Sequence, residues 1–386
     1  MLPLPLQISK NSKVIEVAEL SDIHLGHPNT PTTLTVSCLL RMFPDNAITA
    51  NLDIIYLAGD VFDRQLNMSD ENVFHIHGWI CVFLALCKKH DIIVRVLEGT
   101  PSHDWKQSKW FTEINDKYGI GADVKHVTSL SIEYIERLDI QVLYIPDEWS
   151  GSCAETQRQV TLLLKQYSLT QVDFTIMHGA FPHQLPPHLH NRLDLHNSDF
   201  YLSITRYFVF VGHIHLQSQY DRILSSGSTN RIAHGEEGDK GHYRVTVRDN
   251  GIHDINFIVN PHAMPYITID AEGLTVDETK ALIKPQLAKI KDGYSAIRVH
   301  CNVVDAAVAV VDNYKATHSH IAWKVEVKKR HNKQRVLVES VRKDIDKIVL
   351  HQGNLADMLL SRITVKRPEL ATRCRKLLIE SEVLDG

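Results

Sequence analysis

Leu20-Ser21-Asp22-Ile23-His24-Leu25-Gly26 follows an apolar run, Val14 to Leu20, that reads as a short strand. Strand pairing stops at its end, and Asp22 and His24, two residues apart, leave it together. A carboxylate oxygen beside an imidazole nitrogen makes a mixed half-site that suits zinc, iron or manganese better than a thiolate-preferring metal. Taken alone, Asp-x-His fits a capped turn with a surface histidine better than a metal site. The other strand ends decide its meaning.

Those ends repeat the chemistry. Asn51 to Ala58 is a near-continuous apolar run, the pattern of a strand buried on both faces, and it breaks into Gly59-Asp60-Val61-Phe62-Asp63-Arg64. A glycine before a carboxylate lets the backbone turn sharply and present Asp60 inward. Ile92 to Leu97 runs into Gly99-Thr100-Pro101-Ser102-His103-Asp104, Phe174 to Met177 into His178-Gly179, and Tyr207 to Val211 into Gly212-His213-Ile214-His215. His-x-His puts two imidazoles on one side of an extended segment. Where strands and helices alternate, as they do here around predicted helices at Thr35–Met42, Val73–His90 and Thr156–Tyr167, sites gather at the carboxyl ends of strands. The Pro- and His-rich stretch from Phe181 to His196, with His183, His188, His190 and His196, reads instead as a surface loop. Ile223–Gly227, His242–Val247 and Asp254–Val259 read as strands completing a second sheet.

The bulk composition bounds the rest. At 386 residues with 44% apolar content the chain can bury a sizeable core and calls for two or three domains. No apolar run spans a membrane, Ile80 to Cys87 reaching half the length, and no signal peptide is expected from the opening residues. Six scattered cysteines without a Cys-x-x-Cys pair argue for a reducing cytoplasm and against a thiolate zinc site. The net charge of −4 is uneven: Lys324 to Gly386 holds 15 Lys and Arg against 9 Asp and Glu, so this stretch is +6 and the remainder −10. An acidic body suits cations, and a basic tail suits phosphates or an acidic partner.

Pro261 to Pro265 marks a boundary. Beyond it Tyr266–Ile269, Thr279–Ile290, Ala296–Cys301 and Ile321–Val327 suggest a small α/β domain. Two apolar stripes at helical spacing follow, Leu355, Met358 and Leu359, then Leu370, Cys374, Leu377 and Leu378.

As an ordered set, Asp22-x-His24, Gly59-Asp60-x-x-Asp63, the Gly99 to Asp104 turn, His178-Gly179 and Gly212-His213-x-His215 resemble the motifs of calcineurin-like metallophosphoesterases. Within that class the chain is similar to the SbcD-like nuclease subunits of double-strand-break repair complexes. The motifs cover roughly the first 215 residues; the remaining layout is a weaker match. The resemblance implies an α/β fold, a two-sheet β-sandwich flanked by helices over 1–260. It also implies a small α/β capping, DNA-binding domain over 261–328 and a basic helical partner-binding tail over 329–386.

By the same resemblance Asp22, His24 and His215 hold one metal, His178 and His213 a second, and Asp60 bridges both. The cofactor implied is two divalent ions, manganese first, with magnesium, iron or zinc as alternatives. The family reads Gly-Asn-His-Asp where this chain has Gly-Thr-Pro-Ser-His-Asp. Ser102, directly before His103, is taken as the missing neutral oxygen ligand, with Thr100 second. His103 is expected beside the scissile phosphate, with Asp104 fixing its tautomer. Asp63 and Arg64 read as support for the Asp60 turn.

The function expected is a metal-dependent DNA nuclease, exonucleolytic on duplex ends and endonucleolytic on single strands. Its partners would be DNA and an SMC-like ATPase docked through the C-terminal helices, as a homodimer in the bacterial or infected-host cytoplasm. The same ligands would serve a phosphodiesterase or phosphatase on a small molecule or protein. A non-catalytic scaffold is a third reading, and it predicts one bound metal.

Overall fold

Alternate residues of the buried strands feed two different cores, and this period of two builds a layered molecule. The structure, a computed structural model, describes residues 13–147, 151–249, 251, 253–290, 293–301 and 304–327. In chain order its strands are β1 (Val14–Leu20), β2 (Ile54–Ala58), β3 (Ile93–Leu97), β4 (Val124–Val127), β5 (Ser131–Ile135), β6 (Ile140–Ile145), β7 (Val172–His178), β8 (Thr205–Gly212), β9 (Ser218–Tyr220), β10 (Ile223–Ser225), β11 (Gly241–Arg248), β12 (Asp254–Val259), β13 (Tyr266–Asp270), β14 (Ser295–Cys301) and β15 (Ile321–Val327).

The first sheet has the order β12-β11-β1-β2-β3-β4 and the second β5-β6-β7-β8-β10-β9. In β2, Ile54, Tyr56 and Ala58 point toward the second sheet and meet Phe174, Ile176 and Phe210, while Ile55 and Leu57 point the other way. That outer face is covered by the helices Thr32–Met42 and Glu71–Lys89, the latter burying Val73, Ile76, Ile80, Phe83, Leu84 and Cys87. Asp70 caps this helix by accepting from Asn72 N, and Lys88 and Lys89 sit in its last turn, where the helix dipole favours cations. The second sheet is covered in turn by the helix Cys153–Gln166 through Val160 and Leu164. The fold is therefore a mixed α/β sandwich of two large sheets flanked by helices.

One strand assignment differs from the sequence reading. Ile223–Ser225 joins the second sheet, but β11 and β12 return to the first, β11 pairing antiparallel with β1. This adds an antiparallel edge to a parallel core, and β11 shows the alternation of buried and half-buried residues that such a strand carries. A third sheet of three parallel strands, β13-β14-β15, has its own core of Ile269, Ile283, Ile297, Val299, Val310 and Ile321. Among the described residues no helix is long and apolar enough to cross a membrane. The stripes at Leu355 and Leu370, with the whole 329–386 tail, lie outside the described residues.

The consequence for function is geometric. Parallel β1, β2 and β3 of one sheet and β7 and β8 of the other end on the same side, so their carboxyl ends form one rim.

Candidate metal centre

Every ligand candidate on this rim sits just where a strand gives way to a turn. Asp22, His24, Asp60 and His213 have φ of 50°, 51°, 50° and 106°, a left-handed backbone that non-glycine residues rarely adopt. Four such residues on one rim mark stored strain of the kind found at functional sites. The loops after β1 and β2 stay paired beyond the strands: Asp22 N donates to Gly59 O at 3.1 Å, His24 N to Asp60 O at 3.1 Å and Leu25 N to Val61 O at 2.9 Å. Two glycines let the loops close in. A Cβ on Gly59 (φ +87°) would strike Nδ1 of His178, and one on Gly99 would strike the backbone and carboxylate of Asp60.

Three groups of side chains then converge, each with ligand atoms mutually within 4.8 Å: Asp22, His24 and His215; Asp60, His178 and His213; and His24, Asp63 and His103. Asp60 lies between the first two. Its Oδ2 is 3.9 Å from His24 Nε2 and its Oδ1 is 3.3 Å from His178 Nε2. His215 Nε2 lies 3.0 Å from His24 Nε2 and 3.9 Å from Asp22 Oδ1.

Second partners fix which nitrogens are bare. His215 Nδ1 faces Glu236 Oε1 at 2.8 Å, His178 Nδ1 faces the Ala58 carbonyl at 2.8 Å, and His24 Nδ1 is 3.3 Å from Asp63 Oδ1, within ion-pair distance although outside hydrogen-bond geometry. Nδ1 of His215 and of His178 thus carries its proton toward an oxygen, so Nε2 is the nitrogen that each presents to its neighbours and to a cation. Imidazole nitrogens and carboxylate oxygens packed this closely repel one another unless a proton or a cation lies between them. A cation among them resolves the conflict, so this donor set fits a metal, with hard oxygen and borderline nitrogen ligands and no thiolate.

The electrostatics show the same demand for positive charge. Burial works against charge on His178, yet Asp60 and Asp22 outweigh it and push it up to about 10. Burial likewise works against the Asp60 carboxylate, and His178, His24 and His103 hold it below its usual range. Burial, backed by His178, lowers His213.

The third motif is rearranged relative to the sequence expectation. Pro101 starts a one-turn helix, Pro101–Asp104, and this turns Ser102 toward a separate groove it shares with Pro101, Trp105 and Lys106. Thr100, the residue before that turn, occupies the place expected for Ser102. Its N donates to Asp60 Oδ1 at 2.6 Å, and its Oγ1 is 3.3 Å from both Asp60 Oδ2 and His178 Nε2.

Asp104 also differs from expectation. Its carboxylate accepts from Phe62 N at 2.9 Å and Gly99 N at 2.7 Å, tying the second and third loops together, and it is fully buried. The His103 tautomer is set by the Asp63 carbonyl, 2.8 Å from Nδ1. Asp63 therefore serves two histidines, while Arg64 bonds Gly26 O and Asp70.

Glu236 and Lys240 gave no sequence signal. Lys240 is 1% exposed, and its ammonium reaches Glu236 Oε2 at 3.2 Å, the His215 carbonyl at 2.8 Å and Ser228 Oγ at 2.8 Å. Burial opposes charge on Glu236, but His215 and Lys240 hold it at about 2.

No family model and no curated protein matches this chain. One solved structure aligns with 64% of this chain and 99% of its own at 12% identity and a TM-score of 0.38. A second, the protein TT1561 of Thermus thermophilus, aligns with 63% of this chain and 99% of its own at 10% identity and a TM-score of 0.38. Likeness at this level is no guide to function.

Proposed function

We propose that the chain is a calcineurin-like metallophosphoesterase and, within that class, an SbcD-like DNA nuclease working with an SMC-like ATPase. The observation that carries the first step is the position of Asp60, whose Oδ1 faces His178 of its own group and whose Oδ2 faces His24 of the other. Two divalent cations, manganese first, would supply the Lewis acidity that ionises a water near neutral pH and offsets charge developing on phosphorus.

The chain's own residues do the rest. Asp22, His24 and His215 would hold one ion, His178, His213 and the Thr100 hydroxyl the other, and Asp60 both. His103 keeps its proton on Nδ1 against the Asp63 carbonyl, so Nε2 is the atom free to face the phosphate and, when protonated, to hand its proton to the leaving oxygen. The left-handed turns hold these atoms in place before substrate arrives, so little reorganisation is needed in the transition state.

The second step, from phosphoesterase to nuclease, is supported by the ordered motif set, by the third sheet beside the sandwich and by the basic sequence after Lys324. Backbone phosphate contacts would supply binding with little sequence preference. A cytoplasmic setting and a dimer belong to the same reading. The net charge of −10 before Lys324 opposes DNA binding by the body alone, which favours a partner.

The test incubates the protein and His103→Ala with manganese and end-labelled duplex or circular single-stranded DNA, beside a small chromogenic phosphodiester. The reading expects DNA cleavage that His103→Ala lowers by roughly 10²–10⁴. Cleavage of the small ester alone, with DNA intact even with the ATPase present, would leave the small-molecule phosphodiesterase as the better account.

A further inference from the structure

Trp105 stands two residues beyond His103 with half its surface, 52%, exposed. We propose that it is a stacking platform for a nucleobase of the strand whose phosphate lies at His103, an inference that rests on the nuclease reading above.

The placement of the ring is unusual in three ways. Trp105 and Lys106 are consecutive left-handed residues, φ 48° and 58°, positions where glycine is the favoured residue and a bulky one is an outlier. The indole Nε1 donates to the Ser102 carbonyl at 2.8 Å, so its polar atom is satisfied within the turn and what remains outward is apolar ring face. That face is not part of any buried core cluster. A large aromatic surface left in water in a strained backbone is unfavourable to the fold by itself, and such outliers concentrate where a ligand uses them.

The turn beneath the ring is nevertheless rigid. Lys106 N donates to Glu98 Oε1 at 2.6 Å, and Glu98 Oε2 lies 2.6 Å from His126 Nε2, with Glu98 itself buried. Asp104 anchors the other side through Phe62 N and Gly99 N. The ring is therefore held by the same loop that positions His103.

The space beside it fits the proposed occupant. Trp105, Pro101 and Pro146 line a largely apolar groove of about 640 Å³, and the carboxylates of its walls are Asp147 and Glu98, the latter already engaged by Lys106 N and His126. Lys106 also lines it and makes no ion pair with a described residue. A largely apolar slot beside an exposed indole, with a lysine among its lining and His103 two residues back along the chain, matches a nucleotide: base on the ring, phosphate toward His103. A lipid or an aliphatic peptide would use the apolar walls but presents no flat ring to the exposed indole face.

The experiment uses single-stranded oligonucleotides with manganese, intact or with one abasic residue placed in turn at each of the three positions on either side of the cleaved phosphate. Wild type, Trp105→Ala and Trp105→Phe are compared. Stacking of one base predicts that removing it costs wild type on the order of tenfold in kcat/KM, carried by KM, at one flanking position. Trp105→Ala should cleave the intact strand about as poorly as wild type cleaves the abasic one, and should be indifferent to base removal. Trp105→Phe should keep most of the base dependence, and both variants should unfold at the wild-type temperature. If wild type cleaves DNA without regard to the base at every position, or Trp105→Ala discriminates as wild type does, the inference is overturned while the nuclease reading stands. If wild type cleaves no oligonucleotide even with the ATPase present, the nuclease reading itself falls and takes this inference with it.

Discussion

Replacing Glu236 by glutamine keeps the shape of the side chain but removes one of two acceptors. In the wild type Oε1 serves His215 Nδ1 at 2.8 Å and Oε2 serves Lys240 Nζ at 3.2 Å. Lys240 is buried and charged, so the single amide oxygen is drawn to it. The amide NH2 then faces His215 Nδ1, and the imidazole can bond it only by moving its proton to Nε2. That is the atom aimed at His24 and Asp22, so a proton replaces a lone pair where a cation would bind. Loss of such a supporting carboxylate costs roughly 10–100-fold in metal affinity, about 1.4–2.7 kcal/mol. A further cost of about 1–3 kcal/mol in unfolding stability follows from the weakened partnership of a buried ammonium. The two effects separate by assay: manganese titration by calorimetry for the first, urea unfolding in EDTA for the second. Lys240→Met serves as the control, because it leaves the Glu236–His215 pair intact and should lower stability with a smaller change in metal affinity. If Glu236→Gln binds manganese as tightly as wild type while losing stability, Glu236 serves Lys240 alone and the tautomer argument is wrong.

Three other outcomes follow from the same geometry. Thr100→Val should weaken one of two manganese sites by about tenfold, whereas Ser102→Ala should leave both unchanged, as read by metal titration. Asp104→Ala strands the Phe62 and Gly99 amides in the interior, so it should lower unfolding stability by about 2–4 kcal/mol in denaturant titrations with EDTA present. His242 is pushed down to about 3 by burial and by Arg244, whereas the unfolded imidazole titrates near its ordinary value of 6.5. Between those values the unfolded chain binds a proton that the folded one refuses, so this site's contribution to stability is lost as pH falls, by about 1.4 kcal/mol per unit. In urea unfolding between pH 6.5 and 4, His242→Gln should show a slope shallower by that amount.

Much of the site can be read from the chain because its residues sit at strand ends, where an apolar run of period two stops at a glycine or directly at a histidine. Asp60, His178, His213 and His215 announce themselves in this way, Asp22 and His24 stand just past the end of another apolar run, and the fold brings all six to one rim. Inference by sequence adjacency fails. Ser102 directly precedes His103, but Pro101 is preorganised for the first position of a helix, and one helical turn carries Ser102 away from Asp60 while Thr100 stays beside it. Asp104 directly follows His103, and adjacency credits it with the tautomer, although a carbonyl 40 residues earlier in sequence does that work. Glu236 and Lys240 lie in an acidic, glycine-containing loop that looks solvated, and nothing local tells that its two charges turn inward. The placement of β11 beside β1 is hidden for a related reason: a strand's own pattern shows how it is buried, not which sheet receives it.

The central claim is that Asp60 joins two cations. Manganese binding by equilibrium dialysis, read alongside electron paramagnetic resonance, tests it most directly. The account predicts two manganese ions per wild-type chain with an exchange-coupled signal, and loss of the coupling together with weakened binding in Asp60→Asn. A single ion per chain, or two ions that stay uncoupled and bind Asp60→Asn as tightly as wild type, would contradict it.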